Sequence, residues 1–347
     1  MRAVVLEALG DPSHFKLKEI ETPLPKKGQV RVCIKAAGFN PVDYRTRKGT
    51  YGDKAPLILG ADCSGIVDAL GPDAKGFSMG DEVIAFPFGQ CSNGSYAEFV
   101  CLPEEFVVKK PKNISFEQAA SIPVVALTAY RSVIAPAPVK KGDTIFIAGA
   151  GGGVGSLAVP LARYAQAKAI YTVARNEESA EFMQRELGIK KEHILLYPDL
   201  TVEQLQEKLI AMNNGQLFDA TFDFVGQDMK RLCLNITAHS GHFSTPVLET
   251  ASFDFPVWQR GTSLCFNRNL SLHFVFIGAE SFSGPRSSWG IYAKQLNEIC
   301  ELIEKGVIKT PAVKILGNLS VETVVQAHHL LEDGKVKGKL VMKLVSS

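Results

Sequence analysis

The chain has 347 residues, 46% hydrophobic and 21% charged, with 38 basic against 36 acidic side chains for a formal charge of +2. At roughly 150 residues per domain this is two domains' worth, and a chain of that size buries about three-quarters of its unfolded surface without disulfide or metal staples. No Lys/Arg run approaches a nucleic-acid patch and no acidic tail appears, and no apolar run is long enough to span a bilayer.

The opening MRAVVLE has no apolar core of a signal peptide, so a soluble, cytoplasmic protein is expected. Up to about residue 111 the pattern is one of short strands, predicted over 2–7, 16–21, 29–37, 64–70, 81–86, 96–102 and 106–109. Each is rich in Val, Ile and Phe and bounded by turn residues, which reads as a compact antiparallel barrel or sandwich. A helix opens at Ser115, where Ser115 and Gln118 have the spacing of a capping box. From Asp143 strands alternate with helices. Strands are predicted over 144–148, 169–174, 193–196, 219–225, 242–244 and 272–277, with helices such as 154–166 and 202–212 between them. That alternation implies βαβ units and a parallel sheet, hence an α/β fold. Residues 245–268 lack periodicity and read as a long loop. The tail carries helices near 292–305 and 321–332 and a last strand over 340–345.

Seven cysteines are scattered without a C-x-x-C pair, which argues for free thiols in a reducing compartment. Adjacent His328 and His329 diverge on a helix and make a poor chelate.

The strongest local signal is the strand 144–148 running into Gly149-Ala150-Gly151-Gly152-Gly153-Val154-Gly155 and then into a helix. Glycines permit the bend and let backbone approach a pyrophosphate, and the helix start offers unpaired N–H groups and about half a positive charge. The spacing fits Ala150-x-Gly152-x-x-Gly155 rather than a literal G-x-G-x-x-G, and it predicts nucleotide binding. The next strand ends Ala174-Arg175-Asn176. An NAD site places a carboxylate there for the ribose 2′-hydroxyl. Ala174 would not repel a 2′-phosphate, and Arg175 could pair with one in a fork geometry, so NADPH is the expected cofactor.

With these residues in view, the chain resembles, over nearly its whole length, the zinc-independent, zeta-crystallin-like quinone oxidoreductase branch of the medium-chain dehydrogenase/reductase superfamily. The match is carried by Ala36-Ala-Gly-Phe-Asn40-Pro-Val-Asp43, Leu59-Gly-Ala-Asp62-Cys-Ser-Gly65-Ile-Val67, Gly94-Ser-Tyr96-Ala-Glu98-Phe and the glycine turn. Thr128-Ala-Tyr130 and Gly338-Lys339 are similar too. The resemblance implies a GroES-like β-barrel catalytic domain over 1–124 and 281–347 and a Rossmann NADP-binding domain over 125–280, with the active site in the cleft of the two. Zinc-dependent relatives carry Cys where Asn40 stands and His-Glu where Ala61-Asp62 stands, so no metal is expected. By the same resemblance Asn40 and Tyr51 are the candidate catalytic residues, each a donor toward the substrate oxygen. Thr128, Ala150, Gly151, Gly152, Gly153, Val154, Arg175, Asn176, Tyr197, Val225, Phe276 and Lys339 are the candidate cofactor contacts. One departure is Arg45, where many quinone reductases have Tyr; here Tyr44 stands one place early.

These readings imply an NADPH-dependent reductase of quinones or α,β-unsaturated carbonyls that acts on a small molecule without metal. An enoyl-thioester reductase of the same superfamily is a second reading. A nucleotide-binding regulatory or scaffold protein without turnover is a third. The resemblance further implies a homodimer or homotetramer joined edge to edge, with the strand near 241–246 as the expected edge.

Overall fold

Two short strands, β1 (Arg2–Leu6) and β2 (Phe15–Glu19), pair antiparallel ahead of β3 (Gln29–Gly38). In β3 Val30, Val32, Ile34 and Ala36 are buried while the residues between them are half-exposed, the period of a strand with one face on a core. The structure is a computed structural model and describes residues 1–88, 93–136, 139–249, 253–259, 261–334 and 336–344. After β3 come α1 (Pro41–Arg47), β4 (Leu57–Ile58), β5 (Asp62–Leu70), β6 (Glu82–Ala85), β7 (Phe99–Pro103) and β8 (Val107–Lys109). Then follow α2 (Phe116–Ala119) and α3 (Pro123–Val133). The capping box at α2 forms: Ser115 N–H donates to Gln118 Oε1 at 3.0 Å, and Gln118 N–H donates to Ser115 Oγ at 3.3 Å.

Strands and helices then alternate: β9 (Thr144–Ala148), α4 (Gly153–Tyr164), β10 (Ala169–Ala174), α5 (Glu177–Leu187), β11 (Ile194–Leu196) and α6 (Val202–Met212). They continue with β12 (Phe218–Asp223), α7 (Asp228–Ile236), β13 (Thr237–Thr245), α8 (Leu264–Asn267) and β14 (Ser271–Phe274). The tail supplies α9 (Ala279–Ser283), α10 (Gly290–Glu304), β15 (Val313–Asn318), α11 (Val321–Glu332) and β16 (Lys339–Lys343).

The chain divides into two units, the first from Met1–Leu127 with Ile277–Ser347, the second Thr128–Phe276. In the first unit β3 pairs antiparallel with β5 along one side, and with β7 and the late strand β16 along the other. The C-terminal segment therefore completes the N-terminal sheet. In the second unit all pairings are parallel, in the order β11-β10-β9-β12-β13-β14. One face of that sheet is closed by α6 and α7, whose Leu209, Leu232 and Ile236 pack with Phe146, Phe218 and Phe243. Each such side chain contributes about 1.5–3 kcal/mol of burial free energy.

Several expectations are corrected. The strand near 241–246 is not an edge: β13 is paired with β12 on one side and β14 on the other, so β14 is the rim. The strand expected over 219–225 stops at Asp223, and that expected over 272–277 stops at Phe274. Helix α1 and strand β15 are not among the expected elements, although Asn40-Pro41-Val-Asp43 has the N-cap, first-position Pro and acidic first turn of a helix start. Residues 246–263, where described, hold no strand or helix, in line with the loop expected there. The six cysteines among the described residues are unpaired, and Cys91 lies outside them. No helix among them is long and apolar enough to cross a membrane.

Candidate functional site

In the second unit the strand order reverses at β9, with β10 and β11 to one side and β12 to β14 to the other. Ligands of open α/β sheets bind at the carboxyl ends of the strands beside such a reversal. There Gly149 leaves β9 at φ +83°, and a Cβ built on it would lie 3.0 Å from Val225 Cγ2. The exits of β9 and β12 thus touch. A Cβ on Gly155 would lie 2.3 Å from Gly149 O, so only glycine lets α4 press against the turn. The helix is capped by Gly152, which has no side chain to occupy the first N–H groups. Gly151, Gly152, Gly153 and Val154 are half-exposed, while Ala150 is fully buried behind them. Backbone donors, a helix N-terminus and room without side chains fit a pyrophosphate.

Beside this turn β10 ends at buried Ala174, and Arg175 is exposed with no ion-pair partner among the described residues. Asn176 is the N-cap of α5, its Oδ1 accepting from Ser179 N–H at 2.9 Å. Tyr197 is half-buried against the sheet core and donates its N–H to Ala174 O at 3.1 Å. Thr128 is buried, its carbonyl accepting from Ser132 Oγ at 2.8 Å. Val225 is 50% exposed in the turn beyond β12, and Phe276, beyond the end of β14, is exposed with its carbonyl facing Arg131 Nη1 at 3.4 Å.

The first unit holds a buried polar cluster. Lys339, only 3% exposed, donates to Phe39 O at 3.0 Å, Asn40 Oδ1 at 2.6 Å and Asp62 Oδ2 at 2.8 Å. Asp62 Oδ2 also accepts from Asn40 Nδ2 at 2.7 Å, and its Oδ1 accepts from Val124 N–H at 2.7 Å. All three ammonium protons are matched, which corrects the expectation that Lys339 reaches a cofactor. Asn40 is 1% exposed and its amide bridges the cation and the anion. Its backbone N–H donates to Asp43 Oδ2 at 2.8 Å.

A second run of contacts begins at that carboxylate. Tyr96 OH donates to Asp43 Oδ2 at 3.0 Å and lies 3.4 Å from His328 Nε2. Arg47 Nε donates to His328 Nδ1 at 3.3 Å, and its Nη2 pairs with Glu332. Burial pushes Asp43 up to about 7, and burial with Arg47 alongside pulls His328 down to about 3. Tyr51, by contrast, is 45% exposed.

A zinc ion does not fit this donor set. The carboxylate and amide oxygens nearest each other are already neutralised by a tethered ammonium, and Asn, Asp and Lys offer no soft ligand. Among the described residues no group of three or more His, Cys, Asp or Glu side chains could hold a metal.

Sequence reasoning missed Asp223, Lys230 and Glu249. Asp223 is buried at the end of β12 and accepts from Val225 N–H at 3.0 Å, Gly226 N–H at 2.7 Å and Thr245 Oγ1 at 3.0 Å. An acidic residue closing an apolar strand just before a glycine was the available signal.

Residues 26–112 match the family described as alcohol dehydrogenase GroES-like domain, and residues 192–342 the family described as zinc-binding dehydrogenase. The chain is 39% identical over 163 residues to the mouse (Mus musculus) synaptic vesicle membrane protein VAT-1 homolog-like, covering 46% of this chain and 38% of that one. It is 37% identical over 180 residues to human (Homo sapiens) quinone oxidoreductase, covering 51% of this chain and 54% of that one. These matches thus span about half or less of the relatives' own lengths. Among solved structures, the quinone oxidoreductase from Coxiella burnetii superposes with a TM-score of 0.79 at 27% identity, covering 99% of each chain.

Proposed function

We propose that the chain belongs to the quinone oxidoreductase branch of the medium-chain dehydrogenase/reductase superfamily, to whose domains and members it is similar, and that it is an NADPH-dependent, metal-independent reductase of quinones or α,β-unsaturated carbonyls. The observation that carries this reading is the glycine turn at the strand-order reversal, with a helix start behind it whose N–H groups no cap side chain occupies. NADPH, when bound, supplies a hydride. The backbone N–H groups from Gly153 onward hold the pyrophosphate, and Arg175 beside Ala174 takes the 2′-phosphate. Thr128, Tyr197, Val225 and the Phe276 carbonyl line the remainder of the cofactor.

A quinone or enone accepts hydride without a Lewis acid because the developing charge delocalises onto oxygen, where a donor stabilises it. Tyr51 is the accessible donor for that oxygen. Asn40, expected to share the role, is assigned instead to holding the start of α1, since its amide already bridges Lys339 and Asp62. NADPH oxidation should be followed with a panel of benzoquinones, naphthoquinones, alkenals, enones and crotonyl-CoA. Turnover with quinones or enones is expected. Turnover of crotonyl-CoA alone would favour the enoyl-thioester reading, and NADPH binding without turnover of any acceptor the regulatory one.

For assembly we propose a homodimer, or a homotetramer built from it, joined at β14. This strand is paired on one side only among the described residues, and its Phe274 is 75% exposed. A monomer alone in sedimentation at micromolar concentration would overturn this.

A further inference from the structure

At the exit of β12 the backbone is turned by a charged cluster whose Asp223 and Lys230 are buried. Asp223 draws the N–H groups of Val225 and Gly226 inward. A trans peptide holds its N–H and C=O in opposite directions, so the carbonyls of Phe224 and Val225 face out beside the glycine turn. Lys230, 6% exposed on α7, lies 3.9 Å from Asp223 Oδ2 and donates to Val247 O at 2.6 Å and Glu249 Oε1 at 2.7 Å. Glu249 in turn accepts from Gln227 N–H at 2.9 Å and pairs with the Gln227 side-chain amide. Gln227 sits at φ +53°, a conformation an L residue keeps only when its surroundings hold it. Thr245 Oγ1 donates to Asp223 and accepts from Val247 N–H at 3.0 Å, which ties the exit of β13 into the same cluster.

The outward face is therefore a pair of backbone acceptors with no charge of its own. Such a face recognises hydroxyl or amide donors and disfavours phosphate. We propose that Lys230, with Asp223 and Glu249, is a positioning residue that orients this turn for the unphosphorylated ribose and carboxamide half of a dinucleotide. This rests on the nucleotide reading above and adds to it the part played by the buried lysine. Lys230 acts through the backbone of 224–226 and touches no ligand.

The test uses the full chain and calorimetric titration with two probes, NADPH and 2′,5′-ADP, which carries the phosphorylated ribose but no nicotinamide half. Lys230→Met should raise the Kd for NADPH about tenfold, the scale of a small misplacement of a binding group, and leave that for 2′,5′-ADP unchanged. Glu249→Gln should shift NADPH in the same direction by less, and Lys230→Arg should restore most of the affinity. Unchanged 2′,5′-ADP binding also reports that the unit is folded; if Lys230→Met does not fold, Glu249→Gln decides. Equal weakening of both probes, or no weakening of NADPH, would overturn the proposal. Wild-type protein that binds neither probe would overturn the nucleotide reading itself, and the proposal with it.

Discussion

Lys339 and Lys230 are both buried ammonium groups, one in each unit, and their surroundings differ in one respect. Around Lys339 every polar partner is itself buried and already matched, so the cluster faces inward and nothing is left to offer a ligand. Around Lys230 the partners are arranged so that Asp223 holds the N–H groups of Val225 and Gly226, and the carbonyls of that turn point away from the cluster. A buried charge whose partners are complete holds a fold together. One that orients incomplete neighbours holds a site open.

The largest effect should come from breaking the closed cluster. Lys339→Met leaves Asp62 buried without its countercharge and should cost about 3–5 kcal/mol in urea unfolding. Adding Asp62→Asn should recover part of that loss. A Lys339→Met protein as stable as wild type but weakened toward NADPH would erase the contrast, because the lysine would then belong to the cofactor.

On the open side, Arg175→Ala should raise the KM for NADPH about ten- to a hundredfold, the worth of a charge-assisted hydrogen bond to phosphate. NADH should be nearly unaffected and turnover at saturation little changed. Equal weakening of both cofactors would mean that Arg175 is not reading the phosphate.

A smaller effect separates two members of the buried network in the first unit. With Asp43 held at about 7 in the fold against an ordinary 3.8, the native chain keeps a proton the unfolded chain has released. Its contribution to stability falls as pH rises from about 4 to 7. His328, held at about 3 against 6.5, acts oppositely: the unfolded chain takes a proton the native one refuses, so stability rises with pH from about 3 to 6.5. Asp43→Asn should therefore make stability climb more steeply with pH near 5, and His328→Gln should make it fall. Identical slopes in both variants and wild type would show that neither group titrates in the window.

The smallest expected effect is none. Exhaustive chelation should leave reductase turnover unchanged, since the ammonium of Lys339 already occupies the acceptor oxygens a cation would need. Loss of turnover restored by zinc would reverse that account.

Local pattern made the second unit's sheet legible. The strands Thr144–Ala148 and Ala169–Ala174 and the helix Val202–Met212 stand where periodicity and caps place them. What escaped is what depends on distant chain. Helix α1 is short and rich in polar residues; it is held by Asp43 at one end and by Arg47 with Glu332 at the other. Strand β15 is mostly exposed and exists by pairing with β16 across a register shift. The rim of the sheet could not be read from β13, because edge or interior is a property of the neighbours rather than of the strand. Likewise the glycine turn announced itself in a few consecutive residues, whereas nothing near Lys339 signals Asp62, which is 277 positions away.

That separation has a bearing on biosynthesis. Chains emerge from the ribosome N-terminus first, and domains generally fold as units when complete. The second unit is one uninterrupted run, Thr128–Phe276, and can close as soon as it is out. The first must wait: until the tail arrives, β3 lacks β16, Asp62 lacks Lys339, and Arg47 lacks His328 and Glu332. A nascent chain paused after residue 276 would thus carry a finished parallel sheet beside unpaired N-terminal strand edges, and it is those edges that chaperones would be called on to shield.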